Sequence, residues 1–230
     1  MNRVREQFDL HPLAIHVSYL INLASVDPVI RAKSIQGFRE ELVRAIMIGA
    51  EYLIIHPGSY KDQTLESGIG AFVSGMSAAA KGLPKRLVTV LLENTVGCGA
   101  QIGSKFDELR AIHDAADIDT GFCLDTCHLL AAGFDVASYT GIKRTIAEAD
   151  RILGLENVRV IHANDSKGAL GSKLDRHMNI GEGQIGLEGF GRILNHPYLR
   201  DKPFILETPV DHPGDDQRNV DALKNLCKVK

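Results

Sequence analysis

Six times along the chain a short run of apolar residues gives way to a loop and then to a stretch of helical periodicity, and this alternation constrains the fold more than any other feature. The runs are Leu13–Val17, Tyr52–His56, Leu87–Glu93, Gly121–Asp125, Val158–His162 and Phe204–Glu207. Each is nearly continuous in Val, Ile, Leu or Phe, the pattern of parallel strands covered on both faces. The first helical stretch opens at Asp27-Pro28, an N-cap followed by proline at the first helical position, and ends near Gly49. Others run roughly over 62–82, 104–117, 138–153, 187–195 and 215–228. Strand alternating with helix makes βα units on a parallel sheet. The reading is α/β, an eight-stranded (β/α) barrel of which about six units are visible. No linker, low-complexity tract or charge block divides the chain, so residues 1–230 are read as one domain.

The polar residues that close these runs carry the chemistry. The apolar segments end at His16, His56, Glu93, Asp125, His162 and Glu207, every one a residue type that binds metal. In a βα barrel the carboxyl ends of the strands converge on one mouth, where active sites lie. A single His or Glu at a strand end is more often a hydrogen-bonded loop anchor. Six in succession reverse that judgement, because burying so many imidazoles and carboxylates without partners or metal would be very costly. Three further candidates are placed in loops: His128 in Leu-Asp-Thr-Cys-His, and the alternating pair Asp175 and His177. Nine such groups exceed the needs of one ion. Imidazole with carboxylate and no thiolate suits zinc, with manganese as the alternative, and clustered divalent ions suit hydrolysis of phosphate esters.

The net charge of −3 speaks against a nucleic-acid partner until metal is counted. Three zinc ions would add about six positive charges in one place. Four cysteines, Cys98, Cys123, Cys127 and Cys227, have no framework spacing and suit a reducing compartment. Cys123 and Cys127 flank Asp125 and invite a zinc reading, yet buried free thiols are the better one. His11, His113, His196 and His212 are expected on the surface or in loops. Arg3, Arg5, Lys61 and Lys105 are expected on a solvated surface, with some touching a DNA backbone. No apolar run reaches the length of a membrane span and the start lacks a signal-peptide pattern, so a cytoplasmic location is the expectation.

Seven segments then make the sequence recognisable. His16-Val-Ser-Tyr-Leu-Ile-Asn-Leu, His56-Pro-Gly-Ser, Leu92-Glu-Asn-Thr-Val-Gly, Leu124-Asp-Thr-Cys-His128, His162-Ala-Asn-Asp-Ser-Lys, Asp175-Arg-His-Met-Asn-Ile-Gly-Glu-Gly and Leu206-Glu-Thr-Pro resemble, in order, the signature blocks of the endonuclease IV family. The resemblance covers almost the whole chain. It implies a TIM-type (β/α) barrel and a zinc-dependent nuclease that cuts DNA 5′ to abasic sites, leaving a 3′-hydroxyl and a 5′-deoxyribose phosphate. It assigns His16, His56 and Glu93 to a first zinc. Glu93 bridges to a second zinc held with Asp125, His162 and Glu207, and His128, Asp175 and His177 hold the third. Glu207 would orient the attacking hydroxide, with Glu93 the other catalytic carboxylate. Tyr19 matches a tyrosine that wedges into the duplex, with an ordinary loop tyrosine as the alternative. Asn94, Asn164 and Lys167 either bind phosphate or support ligands, and Gly181-Glu-Gly183 shapes a loop.

Against that family the first two βα units have no counterpart, and Met1 falls inside what would be the second helix. The expectation is of two exposed parallel edges, unless the chain is a fragment, a partner copy covers them, or residues 1–12 fill the gap. No oligomer is otherwise expected. Two rivals remain: a single-metal sugar isomerase or epimerase of the related barrel class, using Glu93, Asp125, His162 and Glu207, and a truncated metal-binding protein with little catalysis.

Overall fold

Each of the six apolar runs forms a strand. The computed structural model describes residues 2–84 and 86–228, with residues 2, 3 and 6 as backbone only, so the Arg3 side chain lies outside the described residues. The strands of the main sheet are β1 (Ala14–His16), β2 (Tyr52–Ile55), β3 (Thr89–Glu93), β4 (Thr120–Asp125), β5 (Val158–His162) and β8 (Phe204–Ile205), neighbouring one another in that order. Between β5 and β8 in sequence, β6 (Asp165–Ser166) and β7 (His177–Met178) pair antiparallel in a small second sheet that the apolar pattern does not announce. Burial explains the pattern: β3 and β4 are buried after their first residue, whereas β1 and β8 are half-buried throughout.

The chain divides into two compact units. The first comprises Met1–Glu93, Gly99–Gly103 and Asp107–Phe122. In it β1 pairs parallel with β2, and β2 with β3, under α2 (Pro28–Ile48) and α3 (Leu65–Ala80). Helix α2 begins where Asp27 accepts the amides of Val29 and Ile30, and ends at Gly49, whose φ of 69° places it in the left-handed region open to glycine. Phe38 and Leu42 of α2 and Phe72 and Met76 of α3 fill the core; each such side chain contributes about 1.5–3 kcal/mol by burial. Arg31 and Arg39 tie α2 to α3 by donating to the carbonyls of Ala71 and Ala79. Helix α4 (Phe106–Ala115) contributes all but its first residue to this unit.

A short helix, α1 (Asn2–Phe8), precedes β1 and corrects the expectation for Arg5. That side chain is buried rather than solvated: its guanidinium donates to both Glu51 carboxylate oxygens at 2.7 Å and to the Gly49 carbonyl at 3.0 Å. Burial pushes the Glu51 carboxyl up, but the Leu13 amide and the Arg5 guanidinium together hold it below its ordinary value.

The second unit comprises Asn94–Cys98, Ser104–Phe106 and Cys123–Lys230. Here β5 pairs parallel with β8, and helices α6 (Tyr139–Leu153), α7 (Gly186–Leu194) and α8 (Asp215–Leu226) supply the covering layer. Its core includes Leu124, Ile146, Val160, Phe190 and Ile193. A further helix, α5 (Thr126–Ala132), starts on the residue after β4. His128 therefore sits in the first turn of a helix, not in a loop. No helix among the described residues is long and apolar enough to cross a membrane.

Candidate metal centre

In the first unit His16 closes β1, His56 follows β2 by one residue and Glu93 closes β3. His16 Nδ1 lies 2.8 Å from the Val17 carbonyl, and since a carbonyl only accepts, Nδ1 carries the proton. Its Nε2 then faces Glu93 Oε2 at 2.9 Å, and His56 Nε2 faces the same oxygen at 3.8 Å. The two rings stand 5.2 Å apart. A neutral imidazole so fixed sets a lone pair against a carboxylate that is itself wholly buried. Only a proton or a cation between them makes that arrangement favourable, and the three ligand atoms lie within 4.8 Å of one another. The loop behind this set is clamped: Asn22 accepts the Ser59 amide and donates to the Ser59 carbonyl. Gly58 passes Asn22 at a φ of +85°, so closely that a Cβ there would overlap the Asn22 side-chain oxygen.

The second unit holds two sets. In one, His128 Nδ1 donates to the Asn94 carbonyl at 3.0 Å and Nε2 faces Asp175 at 3.2 Å. His177 Nδ1 donates to the Glu207 carbonyl at 3.1 Å, and its buried Nε2 makes no hydrogen bond among the described residues. That orphaned nitrogen is 3.7 Å from Asp175 and 3.8 Å from Asp125. In the other set His162 Nδ1 is 3.1 Å from Glu207 Oε2, with Asp125, His162 and Glu207 presenting atoms within 4.8 Å of one another. Three histidines across the two units thus spend Nδ1–H on a backbone carbonyl and aim Nε2 at carboxylate, the way metal-binding imidazoles are held. The donor set fits zinc.

Buried amides brace these ligands. One Asp125 oxygen accepts the His128 amide at 2.7 Å, capping α5, and the other accepts Asn164 Nδ2 at 2.6 Å. Asn164 also receives the Glu207 amide at 2.8 Å, while Thr126 donates to the Asn164 carbonyl. Asn94 accepts the Asp125 amide at 2.7 Å. Asn94 and Asn164 are both almost wholly buried, and their side-chain amides are bonded to Asp125 and, for Asn164, to Glu207 as well. Lys167 is exposed, and Tyr19 projects 89% of its surface into solvent. Lys61 and Lys105 are exposed too, as expected.

Cys123 and Cys127 are buried. Burial, reinforced by the charge of Asp125, pushes the Cys127 thiol up to about 12, and its sulfur contacts the Arg176 carbonyl at 3.6 Å. Cys127 also lies within ligand reach of Asp125 and His177. His11 and His212 are exposed as expected and His196 sits half-buried in the turn after α7. His113 departs from expectation: it lies on α4, half-buried against Phe122 and bonded to Thr120, and burial lowers its pKa. Asp165, which no sequence pattern singles out, is wholly buried and surrounded by backbone amides.

A model of the xylose isomerase-like TIM barrel family matches residues 2–228, which defines the class of fold as a TIM-type (β/α) barrel. A probable endonuclease 4 of Solibacter usitatus is 60% identical over 230 residues, 98% of this chain and 79% of that protein. Another, of Halothermothrix orenii, is 43% identical over 87% of this chain and 73% of its own length. The crystal structure of endonuclease IV from Thermus thermophilus superposes with a TM-score of 0.85 at 38% identity, covering 97% of this chain and 78% of that one. This chain belongs to the endonuclease IV family. A D-tagatose 3-epimerase-like protein, with a TM-score of 0.72 at 20% identity, shares the fold alone.

Proposed function

We propose that the chain is a zinc-dependent AP endonuclease that hydrolyses the phosphodiester 5′ to an abasic site in duplex DNA. The ligands are His16, His56 and Glu93, then Asp125, His162 and Glu207 with Glu93 shared, then His128, Asp175 and His177. One observation carries the reading: three imidazoles locked through Nδ1 present Nε2 to carboxylates, in a chain whose relatives are named as endonucleases 4. Bound zinc would lower the pKa of water and neutralise charge building on the phosphate. Glu207, about a third exposed and held through its own amide by Asn164, orients the attacking water and takes its proton. Water adds its oxygen to phosphorus, the bond from phosphorus to the 3′-oxygen breaks, and that oxygen takes up a proton from solvent to become the 3′-hydroxyl. Tyr19, exposed on the loop after β1, supplies an aromatic surface that can stack where a base is missing.

Single-metal isomerase chemistry would leave His16, His56, His128, Asp175 and His177 without a task. The deciding experiment is incubation of the zinc-loaded chain with a duplex bearing one synthetic abasic site. A single cut on its 5′ side, lost on slow chelation, is the expected result. No cut from a chain holding three zinc ions would overturn the assignment.

A further inference from the structure

Asp165 has no place among the nine proposed ligands, yet its wholly buried carboxylate is the most heavily coordinated acidic group in the second unit. One oxygen accepts the amides of Ser166 at 2.8 Å and Ile185 at 2.9 Å. The other accepts those of Gly181 and Gly183, each at 3.0 Å, and of Gly186 at 3.2 Å. Five backbone donors converge on one side chain. The segment 181–186 is thereby wrapped around it, and a Cβ on Gly183 would come within 2.5 Å of the carboxylate.

What this fixes lies one strand away. Asp165 pairs with Met178 and Ser166 with His177 across β6 and β7, and the Lys167 amide donates to the Arg176 carbonyl. The chain carrying Asp175 and His177 is held by β6 on one flank and by the 181–186 wrap immediately beyond it. Asp165 starts the first and closes the second. We propose that Asp165 is the positioning residue of the His128–Asp175–His177 set. It touches no ligand atom; it sets the register from which His177 reaches both the Glu207 carbonyl and Asp175. This rests on the three-zinc reading above.

The test uses the full chain with Asp165→Asn, which keeps shape but turns an amide NH2 toward backbone N–H groups, and separately Gly183→Ala, whose Cβ presses on the carboxylate and on the Ser166 carbonyl of β6 and so opens the same wrap with the carboxylate intact. Metal content is measured with zinc alone, and the His177 ring nitrogens are followed by NMR in the metal-free protein. Both variants should hold two zincs where the parent holds three, the third binding about 10- to 100-fold more weakly. Both should also lose the single Nδ1–H tautomer of His177 that its contact with the Glu207 carbonyl leads us to expect in the parent. Full zinc content and an unchanged His177 signal in either folded variant would overturn the proposal. Should the parent itself hold fewer than three zincs, the three-zinc reading fails, and the His177 signal alone then decides for or against Asp165. If Asp165→Asn does not fold, Gly183→Ala decides by the same two readouts.

Discussion

The two units hold their histidines by different means. In the first, His16 and His56 stand at or just past the ends of β1 and β2, about 30% exposed, with His16 held through Nδ1 by the Val17 carbonyl and the loop behind His56 clamped by Asn22. In the second, His128 is 4% exposed and His162 2%; His162 also closes a strand, β5, while His128 sits on the first turn of α5 and His177 on the two-residue β7. Buried Asn94 and Asn164 bond Asp125 and Glu207 there, and Thr126 bonds Asn164 in turn. A parallel strand is rigid through its neighbours; a loop or helix start acquires comparable precision only from side chains spent on it.

The largest expected effect would break the comparison at its most active residue. Glu207→Gln should cut the rate of abasic-site cleavage by about 10²- to 10⁴-fold with the fold intact, as circular dichroism would show. Robust activity would remove Glu207 from the proton transfer. Asn164→Leu comes next: it strips a brace from Asp125 and Glu207 and should weaken metal binding about 10- to 100-fold. Stability should fall by about 1–3 kcal/mol in urea melts, because the Glu207 amide is left without its acceptor. An equally conservative change in the first unit, Asn22→Leu, frees only the Ser59 backbone behind the more exposed His56 and should lower metal content less. A third test sharpens the contrast directly. During slow chelation, the His16 and His56 resonances should change before those of His128, since the first pair is the more open; the reverse order would show that exposure does not govern release.

The strand ends and the first helix were legible because their signals are local. Asp27-Pro28 and Gly49 bracket α2 at the expected places, and the six terminal residues of the apolar runs fall within one residue of a strand end, apart from Glu207, two beyond β8. Helix α5 was not legible. Leu129 to Ala132 continues the apolar run of β4, and only the side chain of Asp125, which bonds the His128 amide, breaks strand into helix. Asn94 and Asn164 stand out beside the candidate ligands, with two roles open, but Asp165 looks like an ordinary loop acid until β6 and β7 form and the 181–186 segment brings its amides to it. The sequence signal that could have found Asp165 is the pairing of a buried acid with the glycines at 181, 183 and 186.

Smaller effects probe the periphery. Tyr19→Ala should weaken binding to an abasic duplex, read by fluorescence anisotropy, while zinc content stays the same. Unchanged binding would make it an ordinary loop tyrosine. The smallest effect concerns α1. Glu51 has a lowered pKa, so its stabilising bond to Arg5 is complete above the carboxyl's unfolded value and is lost as the pH falls through the folded one. Because Glu51 is more than a third exposed, the loss should be no more than about 1 kcal/mol. Glu51→Gln should flatten that acid limb in thermal melts, and an unaltered limb would show that another carboxylate governs it.

Asn22 and Gly58 lie far apart in the sequence, yet each constrains what the other can become. Any side chain at Gly58 overlaps Asn22, and any loss of the Asn22 amide frees the Ser59 backbone behind His56. The two first-unit motifs are therefore tied in their tolerance of change as well as in space. Shortening Asn22 should relieve the overlap at Gly58 but not the strain of its φ of +85°, so a paired substitution should recover only part of what a change at Gly58 loses.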